Sequence, residues 1–343
     1  MSDAAKPLVC ICIPSFNAEK TIAATLRSVL GQTYRHLSIQ IVDNHSSDAT
    51  VAIVKNFSDK RITLHRNPVN LGGEGNFNRC IALATGKYMA IYHADDIYEP
   101  DMVATQVAFL EQHPQARAVF TEALLIDEFD QPIGEIRQPK HLAASGPLHE
   151  FQEIFKAILA HSNFLICPSV MAQTSVYQDE IKSWRSEMFG SSADLDVWLR
   201  MLQSGPVGIL SQASMRYRIG QDQWSAKVRV DTGRAAFFRV VDHYLAQPGV
   251  RGLLTTNDLM NYQRLERRDL LMRAVNALLQ DQPEQAATLC PGIFTKSALK
   301  AAWQTRRGMA VLVLGLYLKT MLALRWHRLA KASLTHMKRM ANK

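Results

Sequence analysis

Four short apolar runs, at residues 8–13, 38–42, 62–65 and 88–93, alternate with helical patterns at residues 18–30, 48–57 and 74–84. Branched and aromatic residues favour strands in these runs, and strand–helix–strand alternation predicts β-α-β units on a mostly parallel sheet. In such sheets the ligand crevice lies outside the carboxyl ends of the strands. Three of those ends are polar: Pro14-Ser15-Phe16-Asn17, Asp43-Asn44-His45-Ser46-Ser47-Asp48 and His93-Ala94-Asp95-Asp96. They are expected to converge on one crevice.

Beyond Pro100 the alternation weakens. A helix through Phe109, a strand over residues 118–126 and a turn-rich stretch around Asp130-Gln131-Pro132 and Gly134 come first. A helix over 148–159, a strand over 164–171 and a helix starting near Asp194 follow. Residues 228–281 read as helical with a turn at 248–252, and Pro283, Pro291 and Gly292 mark 282–296 as a linker.

With 343 residues, 47% apolar and 20% charged, the chain is globular, which excludes disorder, collagen and a coiled coil. The net charge of +8 is unevenly spread: no Asp or Glu follows Glu284, and the eleven Lys and Arg of residues 285–343 leave −3 for residues 1–284. A mildly acidic body argues against a nucleic-acid groove, and a basic tail argues for an anionic surface as its partner. The five cysteines, Cys10, Cys12, Cys80, Cys167 and Cys290, are scattered and fit neither a disulfide framework nor a zinc site, so a reducing cytosol is expected. The apolar run that stops at Pro14 is too short for an export signal.

Adjacent carboxylates at a strand end repel one another unless a cation or donor-rich ligand shares them. Asp95-Asp96 is such a pair, and Asp43 ends another strand. A divalent cation bridging them to a diphosphate would relieve the repulsion and stabilise a departing nucleoside diphosphate. A helix cap near Glu99 is the alternative for an isolated pair. Gly72-Gly73-Glu74-Gly75 lacks the Gly-Lys-Ser/Thr of a P-loop and the spacing of a dinucleotide fingerprint, so it reads as a turn or a close backbone approach to the nucleotide.

Five ordered segments resemble the family 2 glycosyltransferases, inverting enzymes with the GT-A nucleotide-sugar fold. They are Pro14-Ser15-Phe16-Asn17-Ala18-Glu19 with the helix end Ser28 to Gln32 to Tyr34; Asp43-Asn44-His45-Ser46-Ser47-Asp48-Ala49-Thr50; Asn70-Leu71-Gly72 with Asn78; Ala94-Asp95-Asp96; and Ala193-Asp194-Leu195-Asp196-Val197-Trp198. The resemblance implies an α/β, GT-A-like, mostly parallel twisted sheet flanked by helices, with a helical C-terminal extension. It places a transferase domain at 1–227 (nucleotide-binding half 1–100, acceptor half 101–227), a helical extension at 228–281, the linker at 282–296 and a basic amphipathic tail at 297–343.

The implied roles follow position by position. Pro14, Phe16, Asn17, Glu19, Asp43, Asn70, Gly72, Asn78 and Asp95 would bind the nucleotide sugar, Asp96 and Asp95 would hold Mg²⁺ or Mn²⁺, and Asp194 would be the catalytic base. A base is what inversion needs, since the acceptor hydroxyl must lose its proton as it attacks the anomeric carbon. The competing role for Asp194 is a helix first-turn residue. The chain departs from the family pattern at His93, which replaces the first carboxylate of an Asp-x-Asp, at Asn44 and His45, at Ala193 and at Gly220. Tyr92, Tyr98, Trp184, Trp198 and Trp224 are candidates for a sugar-stacking surface.

The implied activity is transfer of a sugar from a nucleoside-diphosphate sugar, UDP by family habit, to a glycan or lipid-linked glycan acceptor. A catalytically silent nucleotide-sugar-binding scaffold is the alternative. The tail's uncharged run, residues 308–318, is short for a spanning helix and is flanked by Arg306, Arg307, Arg325, Arg328 and Lys331. It is expected to lie on the inner face of the cytoplasmic membrane, with docking onto the protein as the competing arrangement.

Overall fold

The computed structural model describes residues 6–220, 230–294 and 306–341. The four apolar runs become β1 (Val9–Ser15), β2 (Leu37–Asp43), β3 (Ile62–Arg66) and β4 (Tyr88–Ile91). All pair in parallel, in the order β3-β2-β1-β4. The crossovers are α1 (Ile22–Leu30), α2 (Thr50–Lys55) and α3 (Gly72–Leu83). Central parallel strands are covered on both faces and therefore read as unbroken apolar runs. Val9, Ile11 and Ile13 are fully buried against Ile22, Leu26 and Val29 of α1 and Ile39 and Ile41 of β2. At roughly 1.5–3 kcal/mol for each large side chain so buried, this core gives the loops at its carboxyl edge a rigid base.

The second half of the sheet is mixed. β9 (Met171–Gln173) runs antiparallel between β4 and β6 (Ala118–Ile126), and β6 pairs in parallel with β10 (Val207–Arg218). β5 (Ile97–Tyr98) pairs antiparallel with β10, which brings the segment after β4 to the far end of that strand. The turn-rich stretch at 130–134 is a hairpin: β7 (Pro132–Ile136) folds back on β6. The strand expected over 164–171 is shorter, because Pro168 cannot join a ladder and lies in a 3-10 turn, Cys167–Ser169, ahead of β9.

By contact the chain forms two compact units, residues 1–155 with 163–221, and 156–162 with 222–343. In the second unit the helix Thr256–Leu279 opens with a capping box between Thr255 and Asp258. It buries Leu271, Val275 and Leu278 in one cluster with Leu318 and Met321 of the helix Arg306–Ala323 and with Ala330 and Leu334 of the helix His327–Ala341. The segment read as a linker is instead a helix, Pro283–Leu289, and a 3-10 turn, Cys290–Phe294, whose Ala286, Cys290 and Ile293 join that cluster. The turn expected at 248–252 is a short helix, Pro248–Gly252.

Candidate active site

Register aligns the first two polar strand ends, Ser15 opposite Asp43. Hydrogen bonds then stitch their loops together. The Asn17 amide donates to Ser46 Oγ at 3.0 Å, Asn17 Oδ1 accepts from the Ser47 amide at 3.0 Å, and Glu19 Oε2 accepts from the Ala49 amide at 2.9 Å. Asn17 and His45 both hold positive φ, 48° and 66°. The left-handed conformation at His45 explains why glycine suits this position in the family pattern. Phe16 is 49% exposed.

Asp43 is fully buried. Its Oδ2 accepts from the Ser46 amide at 3.1 Å and faces Arg66 Nε at 3.5 Å, while Oδ1 has no hydrogen-bond partner. A buried, unpaired carboxylate oxygen at a crevice awaits a donor from a ligand. Asn70, Gly72 and Asn78 sit differently. Asn44 Nδ2 donates to Asn70 Oδ1 at 2.8 Å and to the Gly72 carbonyl at 3.0 Å, and Asn78 Oδ1 accepts from the Trp184 amide at 2.9 Å. These amides are engaged in holding loops. Gly72 has φ +71°, a left-handed turn that favours glycine, and a Cβ there would meet no protein atom within 4 Å.

The Asp95-Asp96 segment is held from two sides. From α1, Thr21 Oγ1 donates to the Ala94 carbonyl at 2.9 Å and Thr25 Oγ1 to the Asp96 carbonyl at 2.8 Å. From β10, the Arg218 amide donates to Asp96 Oδ1 at 2.8 Å, and its guanidinium donates to the Asp95 carbonyl at 2.8 Å and the Asp127 carbonyl at 2.9 Å. Asp96 Oδ2 is buried without a hydrogen-bond partner. Burial first, and then the Asp95 charge, push the Asp96 carboxyl well above the usual range. His93, Asp95 and Asp96 each offer a donor atom, all within 4.8 Å of one another. The residues fit a divalent cation, which would restore the charge that burial suppresses.

Asp194 lies in the first turn of α4 (Ala193–Ser204), its Oδ1 accepting from the Leu195 amide at 2.8 Å. Burial raises its carboxyl to about 6. Two residues on, Asp196 is fully buried and paired with Arg185 and Arg200, so the second acid of this motif is structural. The Tyr217 hydroxyl is pushed up by burial and then by the charges of Asp96, Asp95 and Asp194, together with Cys167. Asp194 and the Asp95-Asp96 pair, from two segments about a hundred residues apart, therefore both act electrostatically on Tyr217.

The sugar-stacking surface expected from aromatics is not formed by four of its candidates. Tyr92, Tyr98 and Trp198 are at most 1% exposed and Trp184 is 6% exposed, and Tyr92 stacks on Tyr98 at 3.8 Å. Trp224 lies outside the described residues. Arg218, which ties the acidic pair to β10 and also pairs with Asp130, takes a role that sequence reasoning did not assign, because most of its partners are main-chain carbonyls remote along the chain.

A sheet with a buried aspartate and an acidic pair at its strand ends, and an acid in the first turn of a later helix, is the arrangement that the GT-A resemblance implies. Residues 10–121 match the family model described as glycosyl transferase family 2. Among similar proteins, the putative glycosyltransferase EpsE of Bacillus subtilis is 28% identical over 230 residues, 65% of this chain and 76% of EpsE. WfgD of Escherichia coli, a UDP-Glc:alpha-D-GlcNAc-diphosphoundecaprenol beta-1,3-glucosyltransferase, is 39% identical over 103 residues, 30% of this chain and 41% of WfgD. The crystal structure of Staphylococcus aureus TarS residues 1–349 in complex with UDP-GlcNAc shares the fold at TM-score 0.60 and 14% identity, covering 93% of this chain and 91% of that one. The chain carries a match to glycosyl transferase family 2 over residues 10–121 and is a glycosyltransferase.

Proposed function

We propose that the chain transfers a sugar with inversion from a UDP-sugar to a hydroxyl of a glycan carried on a lipid, in the building of a surface polysaccharide. The observation that carries the reading is the set of buried, unpartnered carboxylate oxygens on Asp43 and Asp96 at the strand ends, with His93 and Asp95 clustered beside Asp96. Asp43 Oδ1 accepts a donor of the bound nucleotide, and Phe16 covers the base. Asp194 stands ionised at neutral pH with a carboxyl near 6, basic enough to take the acceptor proton. Burial of the surrounding groups excludes water that would compete with the acceptor. Asp96 and Asp95 are the residues that would hold Mg²⁺ or Mn²⁺, whose chemistry when bound is to neutralise the leaving diphosphate. The lipid-linked acceptor rests on WfgD, and the UDP-sugar on WfgD and TarS.

The same reading puts the enzyme on the inner face of the cell membrane. Among the described residues no helix is long and apolar enough to cross a membrane. The helix Arg306–Ala323 turns one face to the bundle and exposes Val313 (64%) and Leu316 (59%) on another, continued by Leu324, Trp326 and Leu329. Lys319 lies over the Phe294 ring and Lys331 pairs with Asp281, so neither interrupts this rim, while Arg325 and Arg328 flank Trp326. Apolar burial with basic flanks is the chemistry of an interfacial anchor.

The deciding experiment supplies UDP-sugars and a diphosphate-lipid-linked acceptor to wild type and Asp194→Asn. Transfer by the wild type, lost in the variant with UDP binding retained, supports the reading. UDP binding with no transfer to any acceptor by the wild type would favour the silent scaffold.

A further inference from the structure

We infer that His93 is a third protein donor to the cation site, and that its imidazole turns the site toward borderline transition ions such as Mn²⁺ and Co²⁺ and away from Mg²⁺. The inference rests on the cation-assisted reading above and names the ion class that reading leaves open.

A histidine that merely finishes a strand satisfies its ring nitrogens with nearby acceptors. His93 does not. Its Nε2 is buried without a hydrogen-bond partner. Its Nδ1 lies 3.9 Å from Asp96 Oδ2, too far for a hydrogen bond, and that oxygen is itself buried and unpartnered. Nδ1 is thus the nitrogen nearest that unpaired oxygen, Nε2 is the ring's unpartnered nitrogen, and His93, Asp95 and Asp96 each offer one donor atom of a trio within 4.8 Å. Donors about 2.1 Å from one ion stand about 3 to 4.2 Å apart, so closure by up to about 1 Å brings the trio to one ion.

The residue is also held in place. The His93 amide donates to the Tyr98 hydroxyl at 2.7 Å, that ring stacks on Tyr92, and Phe77 meets the imidazole edge-on at 5.9 Å. Such packing restricts the imidazole from turning away to solvent, the orientation control that ligating histidines need.

The consequence follows from donor chemistry. Carboxylate and diphosphate oxygens suit Mg²⁺ and Mn²⁺ alike, and imidazole binds Mg²⁺ poorly while strengthening the hold on ions later in the first transition row. Replacing one carboxylate by imidazole also removes a negative charge, which lowers affinity for a strongly hydrated ion most.

The test uses the full chain saturated with UDP. Pulsed electron paramagnetic resonance of bound Mn²⁺ is expected to show ¹⁴N modulation from a coordinated imidazole, absent in His93→Ala. Calorimetric titration is expected to give a Co²⁺ over Mg²⁺ affinity ratio about tenfold larger in wild type than in His93→Asp. Bound Mn²⁺ without ¹⁴N modulation in the wild type overturns the inference while leaving the cation reading intact, and needs no variant to fold. Equal ratios in wild type and a folded His93→Asp overturn the selectivity. No Mn²⁺ binding to the UDP complex overturns both readings.

Discussion

Replacing Asp194 by Asn separates what the residue does for chemistry from what it costs the fold. Its carboxyl rises from 3.8 to about 6, with burial the leading cause and the Leu195 amide opposing. A raised folded pKa means that the folded state binds the proton more tightly than the unfolded chain. Stability from this group is fully present below the unfolded value near 3.8 and is lost as pH rises through about 6. A shift of about two units is worth about 3 kcal/mol at ~1.4 kcal/mol per unit. The first-turn position on α4 already returns part of that cost through the helix dipole, and the neutral amide gives that part up, about 0.5–1 kcal/mol. Asn keeps an oxygen for the Leu195 amide. Asp194→Asn is therefore expected to be more stable than wild type by about 2 kcal/mol at pH 8, with the gain shrinking to near zero by pH 4. Urea unfolding of both proteins at pH 4, 6 and 8 measures the difference. Transfer should fall by about 10²- to 10⁴-fold in the variant. A stability difference that is independent of pH, or a variant less stable at pH 8, would refute the assignment of a desolvated carboxylate.

The wild-type rate at limiting substrate should fall tenfold per pH unit below about 6, as Asp194 takes up a proton, a profile read from initial rates across pH 5–8. Asp196→Asn should do the opposite of its neighbour for stability, costing about 3 kcal/mol because it leaves Arg185 and Arg200 without their shared buried anion, and thermal unfolding checks the sign. Asp43→Asn should weaken UDP binding about tenfold or more in calorimetry, since a charged acceptor aimed into the crevice becomes a neutral one. Arg325→Gln with Arg328→Gln should weaken binding to anionic vesicles about 30-fold, at about 1 kcal/mol for each basic residue, and co-sedimentation against neutral vesicles measures it.

The strand ends were legible because both the strands and their ligands follow from local rules. Residues 8–93 alternate in a period that admits little else, and a carboxylate at a strand end has few uses that do not involve a ligand. The parallel sheet, Asp43, Asp95 and Asp96 could therefore be read from the chain in order. Asp194 was legible for a different reason: its motif matches a family, and nothing in its own neighbourhood distinguishes it from Asp196. Tertiary structure made that distinction, by clamping Asp196 between two arginines and leaving Asp194 without an arginine partner among the ion pairs of the described residues. The same holds for Asn70 and Asn78, whose amides are taken by partners 26 and 106 residues away. It holds for Arg218, whose guanidinium reaches main-chain carbonyls 123 and 91 residues distant. Sequence patterns carry periodicity and residue chemistry, which act over a few positions. Desolvation, orphaned hydrogen-bonding groups and ion pairs between remote residues exist only once distant segments are packed, and these separate the engaged polar residues from those left open to a ligand.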